Sequence, residues 1–190
     1  MKRLRAAWWD IVKDIALSRL VFLDESGVTL SMTRTHGRAA PGERVEAAVP
    51  ESHWKVTTLI GAVRLDGVAT VATMESATDG PAFLTFVRDA LVPTLREGDV
   101  VVMDNLSSHK VAGVKEAIEA AGARVEYLPP YSPDYNPIEK FWSKLKAFLR
   151  SAAARTAEVL GGAITRGAAM VTLEDILHWF EHCGYGVPAS

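Results

Sequence analysis

The sequence predicts an α/β fold in which a mixed sheet is flanked by helices. Apolar runs with strand character, Leu20–Leu23, Val100–Met103 and Arg124–Leu128, are interleaved with helical patterns, and that alternation builds parallel strands. Two β-rich runs, Val56–Leu65 and Val68–Met74, flank Asp66-Gly67, a pair that tolerates positive φ and favours a tight antiparallel turn. Carboxylates close two of the strands, Asp24 after Leu20–Leu23 and Asp104 after Val100–Met103, and ligands of such sheets gather beyond the carboxyl ends of strands.

The elements follow in order. An amphipathic helix is expected from about Arg3 to Ala16, before the first strand and its exit Asp24-Glu25-Ser26-Gly27. Residues Thr33 to Ser52, with Gly37, Pro41, Gly42 and Pro50, read as a long irregular connection. After the hairpin, Phe83, Phe86, Val87, Ala90 and Leu91 share one stripe of a helix over Gly80–Leu95. A helix over Val111–Ala121 stops at Gly122, and the strand Arg124–Leu128 stops at Pro129-Pro130. A long helix starts near Asn136-Pro137, with Asn136 as N-cap and Pro137 in the first helical position. Ala152–Ala169 is rich in small residues and undecided, and Leu173–Cys183 reads as a short terminal helix.

At 190 residues the chain suits one domain with a short helical appendage. Its 48% hydrophobic and 23% charged residues are those of a globular protein, which argues against disorder and fibrous repeats. No apolar run reaches the roughly 20 residues of a membrane-spanning helix, so no membrane partner is expected and the cytoplasm is the expected compartment. The single Cys183 has no cysteine partner for a disulfide or a zinc site. The net charge of −2 speaks against nucleic acid only when spread over the whole chain. Lys140, Lys144, Lys146, Arg150 and Arg155 form an unbroken basic stretch, and Lys2, Arg3 and Arg5 add a second. A solvated helix face is the plainer account of such a run.

Two-metal phosphoryl transfer needs several carboxylates around hard cations. Strand alternation sends Asp24 and Glu25 to opposite faces, so one of them enters a site, and Asp24 is taken as that one. The third acid, Glu139, falls in the first turn of the long helix, near the positive end of its dipole. Glu139 could also be the acidic half of a capping box, and the aspartates plain polar strand exits.

The stretches Val21-Phe22-Leu23-Asp24-Glu25-Ser26, Val102-Met103-Asp104-Asn105 with His109, and Leu128-Pro129-Pro130-Tyr131-Ser132-Pro133 through Asn136-Pro137-Ile138-Glu139 resemble the three signature blocks of mariner-superfamily DDE transposases, most of all the bacterial insertion-sequence branch. The 34 residues between Asp104 and Glu139 match that branch. The resemblance spans about Leu20 to Arg150 and implies a ribonuclease H-like fold, with Asp24, Asp104 and Glu139 as catalytic ligands of two Mg²⁺ or Mn²⁺ ions. It implies DNA cleavage at element ends and strand transfer into target DNA, by a homodimer acting in the bacterial cytoplasm at the nucleoid. Lys140, Lys144, Lys146, Arg34 and Arg38 are the candidates for DNA phosphate, and Asn105 and His109 for supporting contacts around the metals.

The expected organisation is an N-terminal helix and linker over 1–19, a catalytic domain over 20–155 and a helical extension over 156–190. A helix-turn-helix region before the first aspartate, usual in the family, is not found, which leaves three readings open: the downstream frame of a two-frame element with a separate helix-turn-helix protein, a truncated relic, or an excised catalytic domain. The alternative is an inactive remnant that binds DNA or dimerises. Two other enzyme readings are weak. His178-Trp179-Phe180-Glu181-His182 matches an inverted zinc-protease pattern without an acidic third ligand after it, and Ser26 stands where an aspartyl-phosphate phosphatase needs a second aspartate.

Overall fold

The computed structural model describes residues 2–50, 56–74 and 79–186. Helix α1 (Lys2–Val12) leads through a 3₁₀ turn into β1 (Leu20–Val28), followed by β2 (Thr57–Arg64), β3 (Gly67–Met74), α2 (Gly80–Phe86), β4 (Val100–Met103), α3 (Val114–Ala120), β5 (Arg124–Tyr127), α4 (Ile138–Ala152), α5 (Ala157–Ala169) and α6 (Leu173–His182). The five strands form one mixed sheet in the order β3-β2-β1-β4-β5. β1 is antiparallel to β2 and parallel to β4, and β4 is parallel to β5, as the hairpin and the helix-linked strands require.

The central strands are apolar on both faces because helices cover both. Leu20 and Phe22 of β1, with Val100 and Val102 of β4, pack against Trp8 of α1, Phe141 and Leu145 of α4, Leu160 of α5 and Phe180 of α6. Val21, Leu23, Val101 and Met103 point the other way, onto Phe83, Val87, Leu91, Val114 and Ile118. Residues from 1–19 and 156–190 thus share a hydrophobic cluster with the central sheet.

Several expectations are corrected. β1 does not end at Asp24 but continues to Val28, with Asp24 opposite Gly61 in the antiparallel ladder. Its parallel pairing with β4 stops at Phe22–Val102, so the edge of β1 that faces β4 is open from Leu23 onward. The polar run Asp24–Gly27 stays extended because β2 supplies its ladder bonds, a tertiary effect stronger than local propensity. The helix expected over Gly80–Leu95 is α-helical only to Phe86, then widens into a π turn (Val87–Leu91) and tightens into a 3₁₀ turn at Val92–Thr94, where Pro93 lacks a donor. The helix expected from Val111 begins at Val114, after a 3₁₀ turn over Ser107–Lys110. The undecided segment contains α5, capped by Thr156, whose hydroxyl accepts from the Val159 amide at 3.2 Å. Residues 29–50 hold no helix or strand, as expected of the long connection, whose end at Ser52 lies outside the described residues.

Two close approaches seat α4. A Cβ on Gly61 would lie 2.9 Å from the Trp142 ring, so α4 rests on bare backbone directly across from Asp24. A Cβ on Gly167 would lie 2.5 Å from Leu145, so the small residues of α5 let the two helices pack closely.

Candidate active site

Asp24, Asp104 and Glu139 line one cavity of about 420 Å³, together with Asn105, Tyr131 and Asn136. Strand alternation places Asp24 on the face of Leu20 and Phe22, which is the face α4 covers. Asp104 follows the last residue of β4, and Glu139 sits in the first turn of α4. Three elements distant in sequence therefore deliver the three acids to one opening.

The helix start differs from expectation. α4 begins at Ile138 with Pro137 at the cap, and no side chain caps it. Asn136 contributes its backbone carbonyl, which accepts from the Glu139 amide at 3.1 Å. Glu139 makes no capping-box bond, so its carboxylate is not committed to holding the helix end and stands exposed at the cavity. Asn136 is 3% exposed, and its Oδ1 has no hydrogen-bond partner among the described residues.

The electrostatics are those of crowded acids. Burial, followed by the charges of Glu139, Glu25 and Asp104, pushes the Asp24 carboxyl up to about 7 even though the Glu25 amide donates to its Oδ1 at 2.8 Å. Burial would also raise Asp104, but hydrogen bonds from His109 and from the Leu106 amide (2.9 Å) outweigh it and hold Asp104 below the usual carboxylate range. Among the described residues no three His, Cys, Asp or Glu side chains are already gathered around one cation-sized point. The donor set, all carboxylate oxygen beside an unpartnered amide oxygen, fits a hard divalent cation.

His109 is fully buried, stacked on Phe83 with centroids 4.4 Å apart. Its Nδ1 lies 2.8 Å from Asp104 Oδ1 and its Nε2 lies 2.8 Å from Glu25 Oε2. Burial alone would lower its pKa, but these two bonds carry it up to about 9. Of the two supporting residues expected, His109 touches Asp104 directly, whereas Asn105 donates to the Leu128 carbonyl at 2.6 Å and ties the β4 exit to the β5 exit. The link to Glu25 was not legible in the sequence, because it spans 84 positions and carries no motif.

The loop before Glu139 is anchored from both ends of the chain. Arg5 donates to Asp134 and to Ser132, each at 2.9 Å, and lies 4.2 Å over the Tyr135 ring. The Trp8 indole donates to the Tyr185 hydroxyl at 3.0 Å, and that hydroxyl donates to the Tyr135 carbonyl at 2.8 Å. These contacts gave no sequence signal beyond the basic start and the aromatic residues themselves.

The basic candidates divide. Lys144 is bound to Asp175 of α6, and Arg34 donates to Ser151 at 3.1 Å. Lys140 and Lys146 have no ion-pair partner among the described residues, and Arg38 is exposed on the long connection. His178 and His182 lie exposed on α6, and no metal-binding group forms around them among the described residues. Among the described residues no helix is long and apolar enough to cross a membrane.

Comparison with known proteins follows the same geometry. No curated protein matches the chain significantly. Among solved structures, a Mos1 transposase paired-end complex with left transposon end superposes with a TM-score of 0.75 at 19% identity, covering 96% of this chain and 57% of that one. A mariner Mos1 paired-end complex with Mn gives 0.73 at 19% identity, with 96% and 59% covered. The catalytic domain of Mos1 mariner transposase gives 0.69 at 16% identity, with 96% and 88% covered. These likenesses establish the ribonuclease H-like fold, and the chain spans a little over half the length of the chains in the DNA complexes. The DDE superfamily endonuclease family matches residues 19–160, three quarters of the chain and all three cavity acids, and this protein is a member of that family.

Proposed function

We propose that this chain is the catalytic domain of a transposase of the bacterial insertion-sequence branch, which cleaves DNA at element ends and joins them to target DNA with two Mg²⁺ or Mn²⁺ ions. The observation that carries the reading is the convergence of Asp24, Asp104 and Glu139 on one cavity within a DDE endonuclease fold. The Mos1 relatives, one with a left transposon end and one with Mn, support DNA and divalent metal as partners.

Asp24, half-buried at the cavity, would hold the ions together with Asp104 and Glu139. Such ions, when bound, supply Lewis acidity at the scissile phosphate and lower the pKa of the attacking hydroxyl group. The chain's own contribution is to hold oxygen ligands in a half-dry opening. The Leu106 amide and His109 fix Asp104, and the Glu25 amide fixes Asp24. Glu139 stands in the first turn of α4, near the positive end of the helix dipole. Lys140 and Lys146, with Arg38, would track DNA phosphates, while Lys144 and Arg34 would first have to leave Asp175 and Ser151. A homodimer and a separate helix-turn-helix protein complete the proposal, acting in the cytoplasm at the nucleoid.

The test is Glu139→Gln, assayed for Mn²⁺-dependent cleavage of supercoiled and element-end DNA. Cleavage should fall by more than about 100-fold, beyond the loss typical of outer contacts, with DNA affinity and melting temperature near native. Native protein that binds DNA but never cuts it, in Mn²⁺ and with element ends present, would favour the remnant reading instead.

A further inference from the structure

We propose that Glu25 is a positioning residue for Asp104, acting through the His109 imidazole. The inference rests on the reading of Asp24, Asp104 and Glu139 as metal ligands and adds a fourth carboxylate that never touches the metals. The Asp24-Glu25 dipeptide is then used on both faces of β1: Asp24 enters the cavity under α4, and Glu25 meets His109 on the opposite face, where that ring stacks on Phe83 of α2.

The geometry carries the argument. Asp104 lies one residue past the end of β4, with its side chain 42% exposed, so no strand pairing fixes its rotamer. What fixes it is the Leu106 amide, which donates to Oδ1 at 2.9 Å, together with the His109 ring, whose Nδ1 lies 2.8 Å from Oδ1 in an ion-pair contact and 3.3 Å from the Asp104 backbone carbonyl. Oδ2 is left without a hydrogen-bond partner among the described residues. His109 can hold that contact only if its ring is held in turn. Phe83 fixes the ring plane, and Glu25 Oε2, 2.8 Å from Nε2, fixes its rotation about that plane. Each ring nitrogen faces a carboxylate oxygen, so the ring links the two acids across its width.

A purely structural purpose explains this poorly. A buried carboxylate and imidazole cost desolvation, and an apolar side chain stacked on Phe83 would be as stable or more so. The arrangement makes sense as a way to aim Asp104. Without Glu25, the buried Nε2–H loses its acceptor, the ring turns to find another, and Asp104 loses the bond that orients it.

The experiment compares Mn²⁺ binding, by isothermal titration, to the native protein, Glu25→Ala, Glu25→Gln, His109→Ala and the Glu25→Ala/His109→Ala pair, with melting curves in chelator alongside. Glu25→Ala should weaken Mn²⁺ binding by about 10- to 100-fold, the range for outer partners of a metal ligand. Glu25→Gln keeps an acceptor oxygen and should recover part of the loss. In the His109→Ala background, Glu25→Ala should add nothing, because its route to Asp104 is gone. Native Mn²⁺ affinity in Glu25→Ala, with only its melting temperature changed, would make the pair structural and overturn the proposal. Equal losses with and without His109 would make Glu25 a ligand in its own right and overturn it as well. Should Glu25→Ala fail to fold by circular dichroism, Glu25→Asp, whose carboxylate is drawn back by one methylene, must show the loss, and native affinity there overturns the proposal. A native protein that binds no Mn²⁺ defeats both this inference and the proposed function, whereas native binding with unaffected variants defeats this inference alone.

Discussion

The two ends of the sheet handle buried charge in opposite ways. At the amino ends of β1 and β4, Asp99 is fully buried and accepts from Arg64 at 2.7 Å and from the Arg96 amide at 2.8 Å, with Arg19 at 3.8 Å. Arg64, itself 3% exposed, also donates to the Thr94 carbonyl at 3.1 Å. At the other end, where β1 outruns β4, Asp24, Asp104 and Glu139 share a cavity that no lysine or arginine among the described residues lines. A cluster that serves the fold carries its own counter-charges. A cluster of like charges raises the energy of the empty protein, and a divalent cation relieves it.

The largest expected effect breaks the structural end. Arg64→Met should strip Asp99 of its closest partner and cost about 3–5 kcal/mol, read as a lowered midpoint in chemical denaturation. The same kind of change at the cavity should have the opposite sign. Asp24→Asn removes the carboxylate that burial and its acidic neighbours push up to about 7, at nearly constant shape, so in chelator at about pH 8 the variant should melt at or above the native temperature. Millimolar Mg²⁺ should raise the melting temperature of the native protein more than that of the variant. A variant clearly less stable in chelator, with an equal response to Mg²⁺, would remove the contrast between the two ends.

The pH dependence sharpens the comparison further. Asp24, pushed up to about 7, and His109, pushed up to about 9, both bind protons more tightly in the folded protein than in the unfolded chain. Each contributes stability that is present at low pH and lost as pH rises through its folded value. Metal-free protein should therefore lose stability between about pH 4 and 9, through the Asp24 step first and the His109 step above it. Melting curves in chelator across that range check this, and Asp24→Asn should flatten the lower part alone. The smallest effect belongs to the exposed pair Arg96–Asp66, 2.8 Å apart with both side chains more than half exposed. Arg96→Gln, which keeps the Arg96 backbone amide on Asp99, should change stability by less than about 1 kcal/mol, because solvent screens that pair as it cannot screen Arg64–Asp99.

The three cavity acids were legible in the sequence because each follows a local signal: a Val-Phe-Leu strand before Asp24, a Val-Val-Met strand before Asp104, and Asn136-Pro137 ahead of Glu139. The hairpin at Asp66-Gly67 was legible for the same reason. The full length of β1 was not, since Asp24–Gly27 looks like an exit and stays extended only because β2 pairs with it. Asn136 has the composition of a cap, yet its side chain is buried at the cavity and caps nothing.

What the sequence determined by itself is the alternation of apolar strands and amphipathic helices, and with it the α/β class and the places of Asp104 after a strand and Glu139 at a helix start. These are properties of neighbours a few residues apart, set by side-chain periodicity and backbone preference. Only the tertiary structure decided that Glu25 faces His109 across 84 positions, that Arg5 and Tyr185 secure the loop before Glu139, and that Gly61 lets α4 settle beside Asp24. Those contacts join segments whose partners are chosen by packing and by the need to satisfy buried polar groups, and no local pattern encodes that choice.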